Sequence, residues 1–233
     1  MFTGLVLGAL CFGQTATIPP VKTSLNLEGQ AVAISLWGTI SSEHAEHARL
    51  SVTADLADLQ EKLTPILATQ LNRSDRCGER LSVEKAVLSP AGLLTANVHF
   101  ERFACVKAFG KEMVKRLVGG NAVVKVNLTP SIAENRIALT AEVREIEADG
   151  SLGEALHSGS FGDSIREKLK TSIESSIQKA VNLKSTLPAG TEGAITLESA
   201  RFSDGGEGKL FLTTEGQLHL SPEELQALLK QSK

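Results

Sequence analysis

The stretch SFGDSIREKLKTSIESSIQKAVNLKSTLP, residues Ser160 to Pro188, carries the pattern on which our fold prediction depends. Its apolar residues recur every four positions: Phe161, Ile165, Leu169, Ile173, Ile177 and Val181. This spacing places them on one side of an α-helix of about five to six turns. An apolar stripe of that length needs a long partner surface. The alternating strands predicted on both sides of the stretch are the candidates for that surface.

A second apolar helix is predicted near the N-terminal third, from Asp55 to Leu71. Its apolar residues repeat at spacings of three and four: Leu56, Leu59, Leu63, Ile66, Leu67 and Leu71. Thr53 or Asp55 can cap its start. Pro65 lies in its middle and should bend it, because proline removes one backbone hydrogen bond and clashes with the preceding turn.

Alternating apolar and polar residues predict strands in much of the remaining chain. These segments are 30–40, 49–54, 81–87, 94–100, 121–128, 136–146, 195–202 and 210–220. Most are joined as hairpins, which indicates an antiparallel sheet with helices on one face. The sequence therefore predicts an α+β fold in which a curved antiparallel sheet is wrapped on two long amphipathic helices.

Composition narrows the classes of function. The 233 residues carry a net charge of −3, which argues against a globally basic nucleic-acid-binding protein. One Trp, eight Phe and no Tyr leave few aromatic platforms for stacking on bases. We therefore predict no nucleic-acid partner.

The N terminus resembles a secretory leader. Residues 1–16 contain no charged side chain, and Leu5 to Phe12 form a short apolar run. That run is too short to span a bilayer. The alternative is an ordinary N-terminal strand. We predict a signal peptide over 1–16, a linker over 17–29, one α+β domain over 30–220 and a C-terminal helix over 221–233.

Cysteine usage also favours export. Removing the leader removes Cys11 and leaves Cys77 and Cys105 as an even pair. A disulfide between them would place the protein in a secreted or periplasmic compartment. Two buried free thiols are the alternative.

No motif predicts catalysis, a metal or a cofactor. His44-Ala45-Glu46-His47 lacks the helical spacing of zinc proteases and lies in a polar turn. Ser160 lacks the preceding glycine of a nucleophile elbow, since Ser158 occupies that position. An enzyme is therefore not the expected class.

The segment from Arg102 to Val118 is basic within an acidic chain. Its cations are Arg102, Lys107, Lys111, Lys115 and Arg116, against Glu112 alone. Val106, Phe109, Met113 and Leu117 fit one face of a helix, and Gly119-Gly120 would end it. A short basic amphipathic helix predicts contact of Lys107, Lys111, Lys115 and Arg116 with anionic lipid head groups. The alternative is a helix packed on the sheet with a solvated lysine face.

The order of elements resembles the tubular lipid-binding superfamily, which includes bactericidal/permeability-increasing-like modules, synaptotagmin-like lipid-transfer modules and small periplasmic relatives. The features that carry the resemblance are the helix Asp55–Leu71, the helix Ser160–Val181 and the Cys77/Cys105 pair. The resemblance implies an acyl-chain tunnel between helices and sheet, and no catalytic residues.

These observations lead to two expectations of function. The first is a secreted or periplasmic protein that binds an apolar small molecule or lipid. Such a protein could transfer lipid and would then contact a membrane surface transiently. Its predicted ligand-lining residues are Leu59, Leu63, Ile66, Ile165, Leu169 and Ile173. The second is an exported structural or interaction module with a fully packed core and no ligand.

Overall fold

The computed structural model describes residues 14–44, 47–108, 111–157 and 194–219, together with the helical residues Asp163, Glu167, Lys170 and Thr171. The chain begins with three strands, β1 (Gln14–Leu27), β2 (Gln30–His44) and β3 (His47–Asp55), followed by α1 (Ala57–Leu71). A meander follows, consisting of β4 (Arg73–Ser74), β5 (Gly78–Leu88), β6 (Leu93–Ala108), β7 (Lys111–Ala133) and β8 (Arg136–Ala148). The remaining elements are α2 (Gly150–His157), β9 (Ile195–Asp204) and β10 (Leu210–Leu218).

The strands form two antiparallel five-stranded sheets. The first has the order β1-β2-β3-β10-β9, and the second has the order β4-β5-β6-β7-β8. Strict alternation of side chains produces one buried face in each sheet. In β10, for example, Leu210, Leu212 and Leu218 are buried together with Thr214. In β6 the buried side chains are Leu94, Ala96, Val98 and Phe100.

Helix α1 joins the two sheets. Its side chains Leu59, Leu63, Ile66, Leu67 and Leu71 are buried, and they share one hydrophobic core with residues of both sheets. The burial of this stripe against two apolar sheet faces is the main stabilising contribution to the helix.

Polar contacts fix the position of α1 between the sheets. The Gln60 side-chain amide donates to the Leu88 carbonyl at 2.7 Å and to the Gly208 carbonyl at 3.1 Å. Its oxygen accepts a hydrogen bond from the Leu210 backbone N–H at 2.8 Å. One side chain therefore links the helix to the end of β5 and to the β9–β10 hairpin.

The N-cap of α1 is Leu56, which makes no side-chain cap hydrogen bond, so neither of the predicted caps, Thr53 and Asp55, occupies that position. Asp55 Oδ1 accepts a hydrogen bond from the Ala57 backbone N–H at 2.9 Å, which satisfies one donor of the first turn. Pro65 lies inside the helix on its exposed side. The predicted helix of residues 55–71 is therefore confirmed within two residues.

The predicted overall architecture is wrong. The described residues form two separate sheets, and their helices are α1, with 15 residues, and α2, with 8. The structure is therefore not a single curved sheet wrapped on two long amphipathic helices. The physical reason is that, among the described residues, the core between the apolar faces of both sheets is filled by the stripe of α1 together with Leu152 of α2. The predicted helix over Ser160–Val181 lies outside the described residues, apart from the four helical positions named above.

Two predicted segments have another structure than expected. Residues 17–29 belong to β1 and its turn into β2, paired from Gln14↔Ser42 to Leu27↔Gln30, rather than to a linker.

Residues 103–118 belong to β6 and β7, so the short helix predicted there is wrong. Gly119 and Gly120, its predicted end, lie inside β7. At Gly120 a Cβ atom would be 3.4 Å from the Leu152 Cβ of α2, so glycine permits this close approach.

Candidate functional site

The end of the β6–β7 hairpin extends beyond its neighbouring strands. The last residue of β6 that pairs with β5 is Phe103, opposite Gly78. On the other side, β8 reaches only as far as Ala122 of β7. Among the described residues, the ribbon therefore has two strands only over 104–108 and 111–115. We call residues 103–108 and 111–118 the arm. From Phe103 to Ala108 the arm spans about 17 Å at the rise of an extended strand.

The register of the ladder determines which side chains share a face of the arm. Buried Phe100 and Val98 define the inward side of β6, and alternation places Ala104 and Val106 on the same side. Their partners across the ladder are Lys115 and Met113. The inward face of the arm therefore continues the core face of the sheet and carries Val106, Met113 and Lys115.

A β-bulge sets this arrangement on β7. Arg102 pairs with Val118 and Phe103 pairs with Arg116, so Leu117 is an extra residue without a partner across the ladder. The bulge shifts the alternation by one residue. As a result Met113 and Lys115 face inward, while Val114 and Arg116 face outward.

The inward face is apolar and solvent-exposed. Val106 is 54% exposed and Met113 is 56% exposed, and they lie directly opposite each other. Elsewhere on the arm, Leu117 at the bulge is 56% exposed and Val114 on the outer face is 40% exposed. Large apolar side chains clustered in this way are typical of contact surfaces rather than of ordinary solvated strands.

The outer face of the arm is fastened to the segment before β5. A disulfide joins Cys77 to Cys105, with a Cα–Cα distance of 5.5 Å. Arg76 Nη2 lies 3.8 Å from Glu112 Oε2. The Arg80 guanidinium stacks 4.2 Å from the centre of the Phe103 ring. These contacts hold the outer face of the arm in one orientation, from Phe103 near its base to Glu112 near its tip.

The predicted disulfide is therefore confirmed, and it is consistent with an exported protein. The sulfur atoms of Cys77 and Cys105 lie close to Glu112 in an arrangement that resembles metal ligands. Because each sulfur is bonded to the other, neither is a thiolate that could ligate a metal.

The four cations predicted to contact lipid head groups differ in their surroundings. Arg116 Nε lies 3.3 Å from Glu101 Oε1 and is partly neutralised. Lys107 and Lys115 are exposed, and no ion pair involves either of them within the described part of the chain. Lys111 begins β7 opposite Ala108. The structure thus brings all four to the arm, on two faces rather than on the one helical face that the sequence predicted.

The predicted ligand-lining residues fall into two groups. Leu59, Leu63 and Ile66 lie in the core shared by α1 and the sheets, exposed by 4%, 1% and 2%. Ile165, Leu169 and Ile173 lie outside the described residues. A ligand between the helices and the sheet stays a prediction.

An open polar cleft lies on the solvent face of the second sheet. It has a volume of about 250 Å³ and is lined by Glu84, Asn97, Val98, Asn121, Ala122, Val123, Glu147 and Asp149. Lys125 Nζ lies 2.8 Å from Glu147 Oε1 and lowers the pKa of that carboxyl group. The polar side chains of this cleft are exposed, and His99 Nδ1 lies 2.6 Å from Asn121 Oδ1.

Comparison with protein-family models, with curated proteins and with solved structures found no match for this chain. Within the described residues, neither helix has both the length and the apolar character needed to cross a bilayer. The arm, with its exposed apolar side chains and its unpaired lysines, is the feature from which function can be argued.

Proposed function

We propose that this protein is an exported, non-catalytic interaction module that attaches to the surface of an anionic lipid bilayer through the arm. The observation that carries this proposal is the combination, on one projecting ribbon, of exposed Val106, Met113 and Leu117 with Lys107 and Lys115, which form no ion pair with the described residues. Apolar side chains favour the acyl boundary, and lysines favour the phosphate layer above it.

The expected binding free energy of the arm is sufficient for reversible attachment to a bilayer. Each lysine near an anionic surface contributes about 1 kcal/mol. Burying the exposed half of a valine, leucine or methionine side chain contributes about 1 kcal/mol, since full burial contributes roughly 1.5–3 kcal/mol. Two lysines and three apolar side chains thus provide on the order of 5 kcal/mol before ordering costs. Because the disulfide orders the arm in advance, part of that cost is already met in the free protein.

The disulfide also supports the compartment that we propose. Disulfides persist in oxidising surroundings, and the leader-like residues 1–16 agree with secretion or transfer to a periplasm. The packed positions of Leu59, Leu63 and Ile66 favour an interaction module over a carrier with a ligand between α1 and the sheets.

Vesicle co-sedimentation tests the proposal directly. The purified protein is mixed with phosphatidylcholine vesicles that contain either no anionic lipid or about one third phosphatidylglycerol, a composition that carries the surface charge the argument needs. We expect binding to the anionic vesicles, and we expect salt to weaken it because exposed charges are screened.

Charge variants locate the contact. Lys107→Gln combined with Lys115→Gln should lower the affinity by roughly 30-fold, the equivalent of about 2 kcal/mol. The matched control, Lys22→Gln with Arg49→Gln, removes the same charge from exposed positions away from the arm and should leave most binding intact. Equal losses in both variants, or no binding to anionic vesicles, would refute attachment through the arm.

A further inference from the structure

We infer that the arm enters the acyl boundary with one face only, namely the inward face that continues the hydrophobic core, while the face that carries the disulfide and Lys107 stays in the aqueous layer next to the head groups. This inference rests on the proposed attachment to an anionic lipid surface and specifies its orientation. It follows from how the ladder distributes apolar and charged side chains between the two faces.

The inward face has the composition of an interfacial surface. Val106 and Met113 form a cross-strand apolar pair at its centre, and Ala104 lies next along the strand. Lys115, opposite Ala104, is exposed beside this pair. An ammonium group on a flexible stem beside such a patch can reach the phosphate layer while its neighbours enter the acyl boundary.

The outer face has one exposed large apolar side chain, Val114 (40% exposed), among charged groups. Glu112 lies on it, opposite Lys107, and is already paired with Arg76 at 3.8 Å. Arg116 on the same face is held by Glu101 at 3.3 Å. Moving these two ion pairs into the acyl boundary would be unfavourable, because each charge would lose its hydration.

An end-on entry of the arm meets the same obstacle. The last two pairs of the ladder before the turn are Lys107↔Glu112 and Ala108↔Lys111. The tip would therefore bring three charged residues below the head groups before Val106 and Met113 arrived there. A flat orientation brings the apolar pair to a depth of about 5–10 Å, typical of interfacial elements, and keeps these charges at the surface.

Neighbouring residues on β7 provide a matched test. Met113 faces inward and Val114 faces outward, beside Cys105. Because Trp37 is the single tryptophan, a Trp37→Phe background makes any introduced tryptophan the only indole. Phenylalanine retains a ring at the position where Trp37 contacts Phe211 edge-on. Single variants Met113→Trp and Val114→Trp then report the two faces separately.

Fluorescence with vesicles containing brominated acyl chains gives the readout. On anionic vesicles we expect the Met113→Trp variant to lose intensity through bromine quenching and to shift to shorter wavelength. The Val114→Trp variant should bind equally well and show neither change. Equal quenching of both variants, or stronger quenching at position 114, would overturn the orientation but leave attachment to the membrane standing.

Two other outcomes would refute the inferred orientation. If neither variant nor the parent sediments with vesicles, attachment itself fails and the orientation fails with it. If Met113→Trp fluoresces at short wavelength without lipid, protein covers the inward face, either another copy of the chain or another segment of it, and the inference is refuted. A second pair of variants avoids the added bulk: Met113→Ser should weaken binding roughly fivefold to tenfold, and Val114→Ser less than about twofold.

Discussion

Removing the disulfide should destabilise the protein by an amount that its loop length determines. Cys77 and Cys105 are separated by 28 residues. In the chain-entropy model, releasing a loop of that length increases the entropy of the unfolded chain and costs about 3.5 kcal/mol of folding stability. For a protein of this size, that loss corresponds to a decrease in Tm of roughly 7–14 °C.

Urea denaturation of the double variant Cys77→Ser/Cys105→Ser measures this loss. All samples carry Cys11→Ser, so that the bridged pair is the only difference in sulfur chemistry. A dithiol reductant should destabilise the parent to about the level of the double variant. The same reductant should leave the double variant unchanged, which provides the control.

The result that would refute the reasoning is a free energy of unfolding within about 0.5 kcal/mol of the parent, the range of an ordinary surface substitution. Such a result would mean that the unfolded chain gains no freedom when the bridge is absent. The arm contacts at Arg76 and Arg80 would then hold this region without covalent help.

Three further perturbations test the fold. Leu63→Ala should lower the free energy of unfolding by about 3–5 kcal/mol because the Leu63 side chain is 1% exposed. The control Glu61→Ala, on the exposed side of α1, should change the free energy of unfolding by less than about 0.5 kcal/mol. Equal urea midpoints for the two variants would contradict the packed position of α1. Asn135→Gly is compatible with the positive φ of 57° but removes both side-chain hydrogen bonds to β9. We expect a decrease of about 2 kcal/mol in the free energy of unfolding and faster amide hydrogen exchange in β9. Exchange rates equal to those of the parent would show that these two hydrogen bonds do not hold β9. The hydrogen bond from Lys62 lowers the pKa of Asp58 below its ordinary 3.8, so the charged carboxylate stabilises the fold above that pH and this contribution disappears as pH falls through the folded-state pKa. Asp58→Asn should therefore reduce the decrease in the free energy of unfolding at acidic pH. An unchanged decrease would contradict this interpretation.

Local patterns were sufficient for α1 and for most strands. The spacing of Leu59, Leu63, Ile66 and Leu67 marks a helical face wherever the helix lies, because the period of 3.6 residues belongs to the backbone. Alternation in β5, β6 and β10 is equally local. Cys77 and Cys105 were the only pair available once a leader was assumed, so their bridge was predictable as well.

The arm shows where such reasoning fails. Val106, Met113 and Leu117 fit helical spacing, yet they lie on two strands because each residue of 103–108 gains a cross-strand partner in 111–116. Backbone pairing across this hairpin overrides a weak helical preference of the individual segments. The exposed apolar side chains were visible in the sequence, but their shared face depends on the bulge at Leu117, which no spacing rule predicts.

The amino-acid sequence by itself determined the helix α1, most of the strands, the cysteine pair and the basic character of the region around residues 102–118. These properties depend on backbone period, side-chain charge and the number of thiols, all of which are local. Only the tertiary structure decided that the strands form two sheets joined by α1, and that Val106 and Met113 meet on an exposed face. Sheet partners and ladder register are set by contacts between residues far apart in the chain, and a shift of one residue reverses the face on which every side chain lies.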